Sequence, residues 1–251
     1  MQDGPTFLTS QDISVSTTYK TEQLGKIGQT YDGRNFAYVS FGGTTAFTSG
    51  MLVVAATAPT NTTGLALATA QPFTTSLLAG SISLNIVNGA TAVTQDQFAE
   101  GTIDVLGVNG LTSYKIRGNS ATAAAGVITV TLSEALRNIV ALTVANNTVN
   151  LSLSLHALVI ASTTLAVNVG FVIAPVPQSA ALSYFGWVQV RGRGLGINDA
   201  AATLAKDVLV QQSTTVAGAV VVATGATVDP AGIVKESTAV SIGVPLFVNI
   251  Y

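Results

Sequence analysis

Apolar and polar residues alternate one by one along much of this chain, and that period restricts its fold more than any other feature. Ile82, Leu84 and Ile86 alternate with Ser81, Ser83 and Asn85, and Ile128, Val130 and Leu132 alternate with Thr129 and Thr131. From Val149, the residues Leu151, Leu153 and Leu155 alternate with Asn150, Ser152, Ser154 and His156. Near the C-terminus Val244, Leu246, Val248 and Ile250 alternate with Pro245, Phe247 and Asn249. A strand turns successive side chains to opposite faces, so each run predicts one buried face and one wet face, as in antiparallel sheets. Val and Thr, both β-branched and both abundant here, suit a pleated, half-buried surface.

Turn chemistry separates the runs: Asp32-Gly33, Gly42-Gly43, Asn88-Gly89, Asn109-Gly110 and Gly118-Asn119. Such pairs supply the positive φ angles of tight hairpins. Helix signals are few. Thr94-Gln95-Asp96-Gln97 fits a capping box and predicts a short helix ending at Gly101. Ser133 is a candidate cap for a second helix from Glu134 to Leu142, and Asp199 to Lys206 predicts a brief third. The fold class expected is mainly β, with antiparallel β-sandwich or barrel-like domains and one to three short helices.

Pro175-Val176-Pro177 interrupts strand pairing and marks the expected boundary between a larger β-rich domain, 23–177, and a smaller one, 178–251. The first residues, 1–22, are rich in Thr, Ser and Gln with little periodicity and read as an extended arm. No basic and apolar leader opens the chain, so no secretory signal is predicted. The uncharged stretch Leu151 to Val176 has the length of a membrane span. Its period is two, however, and Ser152, Ser154, His156 and Asn168 break it, so it reads as strands, with no membrane partner expected.

Charge is sparse. No Asp, Glu, Lys or Arg occurs from Asn35 through Gln95, nor from Asn138 through Gln189, and charged residues total 9%. A soluble domain ordinarily carries about a quarter. Either Thr, Ser and Asn form the polar skin, or much of the surface is covered by copies of the chain or by a partner. The ten basic residues are scattered and the net charge is −2, so no nucleic-acid partner is expected. Lys115 with Arg117, and Arg191 with Arg193, are the closest basic pairs and read as strand ends or turns.

No catalytic constellation assembles, and the chain is read as non-enzymatic, with no cofactor and no metal. Cysteine is absent, and His156 is the single histidine, set among Ser and Leu on a strand's polar face. Asp96 and Glu100, four residues apart, read as a solvated helix face. Gly192-Arg193-Gly194-Leu195-Gly196 lacks the Lys-Ser/Thr of a phosphate loop and reads as a flexible turn leaving a strand. Tyr184, Phe185 and Trp187 form the one aromatic cluster. With Phe7 and Leu8 of the arm, they are the candidate interface residues, because aromatics concentrate at interface centres.

Several segments resemble proteins of tailed-bacteriophage virions. Gln23-Leu24-Gly25-Lys26 followed by Tyr31-Asp32-Gly33-Arg34-Asn35-Phe36-Ala37-Tyr38-Val39 is similar to a start found there, as are Asp96-Gln97-Phe98-Ala99-Glu100-Gly101 before Ile103-Asp104-Val105, Tyr114-Lys115-Ile116-Arg117-Gly118-Asn119 and Tyr184-Phe185-Gly186-Trp187-Val188-Gln189. Together they cover roughly Leu24 to Gly192; Asp199 to Tyr251 carries little of the likeness beyond Ile242-Gly243. Proteins of this kind are head decoration (cement) proteins and other virion structural proteins. The resemblance implies a chain on the outer capsid surface of a virion, stabilising the shell by bridging subunits of the major capsid protein. By analogy with three-fold lattice positions, it implies a homo-oligomer, with a trimer favoured. A tail-fibre or spike-type receptor- or glycan-binding protein is the alternative, and the shell protein itself a lesser one, since no long amphipathic helix is present.

Overall fold

A computed structural model of the protein describes residues 6–56, 65–66, 80–107, 110–137, 148–177, 183–199, 203–224, 230–235 and 243–250. These residues are mainly β, as expected. The chain divides into two compact units, one of residues 1–56 with 155–251, the other of residues 57–154. This division differs from the expected one at 177–178. Val176 donates to and accepts from Phe47, at 3.0 and 2.9 Å, and so belongs to the first unit. Alternate residues of an antiparallel pair face a given neighbour, so Pro175 and Pro177 leave this bridge without a missing donor.

In chain order the strands are β1 (Thr6–Leu8), β2 (Ile27–Thr30), β3 (Asn35–Phe41) and β4 (Leu52–Val54), all of the first unit. The second unit contributes β5 (Leu65–Ala66), β6 (Ser83–Val87), β7 (Thr102–Gly107), β8 (Gly110–Asn119), β9 (Val127–Leu132) and β10 (Thr148–Ser152). The first unit resumes with β11 (Asn168–Val172), β12 (Tyr184–Asn198), β13 (Leu209–Gln212), β14 (Ala219–Val222), β15 (Gly232–Val234) and β16 (Gly243–Asn249).

The first unit is organised around β12, 15 residues long and shared by two assemblies. Its C-terminal half joins the five-stranded barrel β12-β14-β13-β15-β16, which closes because β16 pairs back onto β12 from Arg191↔Asn249 to Ile197↔Gly243. Val210, Val220, Val234, Val244, Leu246 and Val248 fill that barrel. Its N-terminal half lies between β3 (Tyr184↔Phe41 to Arg191↔Asn35) and β11 (Phe171↔Gln189, Val172↔Val188), with β4 beyond β11. Bridges Phe41↔Val159 and Val54↔Ile160 link β3 to β4, so a second core of Ala37, Val39, Phe41, Val53, Val169 and Val188 is also enclosed.

The opposite face of β3 and β12 is covered by the start of the chain. β1 adds parallel to β2 (Thr6↔Gly28), and a three-residue 3₁₀ turn follows at Asp12–Ser14. Leu8 and Ile13 are buried against Phe36, Tyr38 and Trp187. Residues 6–22 are therefore packed rather than a free arm, because these two apolar side chains, set among Thr and Ser, have a sheet face to cover.

The second unit is one antiparallel sheet, β5-β10-β7-β8-β9-β6, over a core that includes Leu84, Ile86, Ile103, Ile116, Ile128 and Leu151. Its strands keep the alternation of the sequence: β6 and β9 bury every second residue. Gly118-Asn119 is not a hairpin turn. It ends β8 beside a register shift between Ile116 and Gly118, where an extra residue bulges from the ladder.

The expected helices do not form among the described residues. Half of the capping box is made: the Thr94 amide donates to Gln97 Oε1 at 3.0 Å. Helix growth stops there because Asp96 (φ 57°) and Glu100 (φ 63°) are left-handed, and the backbone bonds outward to β8 instead, Asp96 N to Asn119 O and Glu100 N to Ile116 O. Around Ser133 the amides of Ser133 and Leu136 donate to Lys115 and Ser81, again across the sheet; residues 138–142 lie outside the described residues. Of the third expected helix, Asp199 and 203–206 are non-helical, with Leu204 in a β-bridge, and the rest lies outside the described residues.

Candidate functional site

Two clefts open on the first unit, at opposite ends of the β3–β12 pairing. The first, about 500 Å³, lies between the N-terminal segment and the start of β12. It gathers four of the five candidate interface residues, Phe7, Leu8, Phe185 and Trp187, together with Tyr38 and Val15. Leu8 and Trp187 form its floor and are nearly inaccessible, whereas Phe7 is 63% exposed. Tyr184, the fifth, packs on the other face of the strand against the enclosed core. Alternation along β12 separates it from Phe185.

The floor depends on close packing. Gly28 leaves room for Leu8, whose Cδ1 crowds the place a Cβ would take, and Trp187 Cζ3 lies 3.1 Å from that same place. Tyr38 meets Trp187 edge-on at 5.1 Å between centroids and stacks on Phe185 at 6.4 Å. Its hydroxyl accepts from the amide and hydroxyl of Thr21, at 3.0 and 2.9 Å. The rim is held by Asp12, which accepts from the Thr9 amide and hydroxyl, both at 2.7 Å, and these bonds hold its carboxyl below the usual aspartate range. Beside the rim, exposed Phe7 stacks on exposed Tyr31 with centroids 5.6 Å apart.

The second cleft, about 660 Å³, is lined by Arg34, Arg191, Arg193, Asp32, Asn35 and Phe247 among others. It lies where β12 changes partners: Arg191 is in register with both Asn35 of β3 and Asn249 of β16, and the two neighbours diverge from that point. The expected flexible turn at Gly192 to Gly196 is instead the middle of a continuous strand. A bulge between Gln189 and Arg191 and a left-handed Gly192 (φ 97°) bend that strand. Gln189, wholly buried, donates from Nε2 to the carbonyls of Arg191 (3.2 Å) and Arg193 (2.8 Å), and Gly194 gives its amide the room to do so. The bend presents both arginines to solvent. Arg34 joins them, with its Nε 2.7 Å from Asp32 Oδ2; the Thr30 hydroxyl, bonded to Asp32, and that guanidinium hold the Asp32 carboxyl low. Across the strand pair, Lys235 Nζ stands 5.7 Å from the centre of the Phe247 ring.

His156 is partly buried against Gly25, which lowers its pKa, and the carbonyl of the residue accepts from Ser40 N at 3.0 Å. Asp96 Oδ1 accepts from the Asn119 amide at 3.2 Å. Sequence reasoning missed Asp199, which is buried and accepts from the hydroxyls of Ser213 and Thr215. It also missed the arginine cleft, whose one signal was a Gln-x-Arg-Gly-Arg-Gly run directly after an apolar strand. No group of three or more His, Asp or Glu able to hold a metal occurs among the described residues. No helix there is long and apolar enough to cross a membrane. Comparison with protein-family models, with curated proteins and with solved structures finds no match for the chain.

Proposed function

We propose that this chain is a non-enzymatic structural protein of a bacteriophage virion, one that binds the outside of the capsid and stabilises the shell by bridging subunits of the major capsid protein. The observation that carries the reading is the aromatic cleft and its rim. Phe7 and Val15 line the cleft with their side chains exposed, and Tyr31, exposed as well, stacks on Phe7. In a chain so poor in charge, exposed rings beside a recess with a rigid aromatic floor have the makings of an interface centre. The virion assignment itself draws on the resemblance of the segments from Leu24 to Gly192.

A cement role asks for buried contact area and many hydrogen-bonded strands, and no chemistry. Several modest contacts repeated around a homo-oligomer, a trimer by analogy, add through multivalency. The test compares heads lacking the protein with the same heads after adding it back, under heat or osmotic shock. The reading predicts later breakage of the decorated heads. Equal survival, or binding of the isolated protein to host cells and not to capsids, would contradict it.

A further inference from the structure

The arginine cleft has no part in the aromatic surface, and it concentrates a resource this chain holds in short supply. Three of its ten basic residues line one opening, and a fourth, Lys235, sits on the ring of Phe247 at its edge. Arg34 is paired with Asp32, but Arg191 and Arg193 are exposed and form no ion pair with a described residue. Like charges held together on a bent strand repel one another, and here a wholly buried glutamine and a left-handed glycine maintain the bend that presents them. We propose that this cleft is a docking site for an acidic, extended segment of a partner protein, whose carboxylates are taken by Arg191 and Arg193.

Spacing selects that ligand. Arg191 and Arg193 keep an unbroken register with Asn249 and Phe247 of β16 through Gly192, so their backbone positions approximate the repeat of every second residue in an extended peptide, about 6 to 7 Å. Each guanidinium presents a planar fork that fits a carboxylate with two parallel hydrogen bonds. The ring of Phe247, 37% exposed and opposite Arg193 in the ladder, offers an apolar contact for the segment between its charges. A nucleic-acid strand would ask for a longer cationic track than one strand provides. Because Gln189 holds the carbonyls of Arg191 and Arg193, the strand backbone that carries both arginines is already set before binding. Identifying the partner as the shell subunit rests on the function proposed above; the cleft's preference for an acidic peptide does not.

The experiment titrates the whole protein calorimetrically with hexaglutamate at low salt, with hexaglutamine as the neutral control. It is repeated with Arg191→Gln/Arg193→Gln and Arg191→Glu/Arg193→Glu, each checked for an unchanged melting curve. The proposal predicts saturable binding of hexaglutamate alone, weakened at least tenfold by the glutamine pair, abolished by the glutamate pair and reduced in high salt. Both variant sites are exposed, so the glutamine pair keeps the test open even if charge reversal disturbs folding. No binding of hexaglutamate to the wild-type chain overturns the site, whatever capsids do. Tighter binding of an anionic polysaccharide or a short DNA strand than of the peptide overturns the assignment to a protein segment. A parallel sedimentation with capsids separates the two readings. Peptide binding without capsid binding leaves the cleft and removes the shell as its partner, and capsid binding untouched by either variant removes the cleft from that contact.

Discussion

Two strands of similar length show how differently the two units are built. In β9 of the second unit Ile128, Val130 and Leu132 are buried, Val127 is exposed and the threonines between are half covered. In β3 of the first unit every residue from Phe36 to Phe41 is buried. Both ladders are antiparallel, so pairing is not the cause. β9 has a core on one side only. β3 has the enclosed core of Val39 and Val188 on one side and Leu8, Ile13 and Trp187 on the other. A strand covered on both faces loses its alternation and must satisfy each polar group internally. Ser40 does this by accepting from Leu158 N at its hydroxyl and from Val159 N at its carbonyl, each at 2.8 Å.

The contrast predicts two patterns of sensitivity. Along β9 the cost of truncation alternates: Ile128→Ala loses about 2–5 kcal/mol and Val127→Ala less than about 0.5. Along β3 neighbours are both costly: Tyr38→Ala loses about 3–5 kcal/mol and Val39→Ala about 2. Urea unfolding of the four variants measures this. A cheap residue beside a costly one in β3 would show that the N-terminal segment does not cover the sheet.

Polar anchors sharpen the comparison at smaller effect. In the first unit, Asp199→Ala removes the acceptor for the hydroxyls of Ser213 and Thr215 and is expected to cost about 3 kcal/mol. In the second unit, Asn119→Ala strands the Phe98 amide, which donates to Asn119 Oδ1 at 2.8 Å, and the Thr94 carbonyl, for about 2 kcal/mol. Thermal melts rank the pair; an Asn119 variant as stable as wild type would mean the turn at 94–100 is held by its backbone bonds alone.

The smallest effect is a pH dependence in the first unit. Burial lowers the His156 pKa from its ordinary 6.5, so the folded state binds fewer protons than the unfolded state. Its contribution is complete above pH 6.5 and declines as pH falls from there through the lower folded-state value. His156→Gln should flatten stability against pH over that interval. A wild-type curve of the same slope as the variant would place the imidazole in solvent.

The same contrast explains what could be read in advance. The runs that alternate became β6, β9 and β16 because each has a single core to face. The run from Val149 to His156 predicts one continuous strand, but β10 ends at Ser152, and Leu155 already packs against the first unit's core. Periodicity continues across that junction because consecutive segments can alternate against different cores. The capping signal at Thr94 and Gln97 was real, but two left-handed residues turned the segment to the sheet. Of the five candidate interface residues, Phe7, Leu8, Phe185 and Trp187 line one cleft, whereas alternation along β12 turns Tyr184 to the enclosed core. The arginine cleft escaped because it depends on a change of strand partner at Arg191, a tertiary event, and on a buried glutamine that no pattern marks as structural.

The central claim, that this chain is a shell-bound structural protein, is tested most directly by its copy number in purified virions relative to the major capsid protein, by quantitative mass spectrometry. The account predicts a fixed proportion to the shell subunits. A number set by the tail, a few copies to some dozens, or absence from the particle would contradict it.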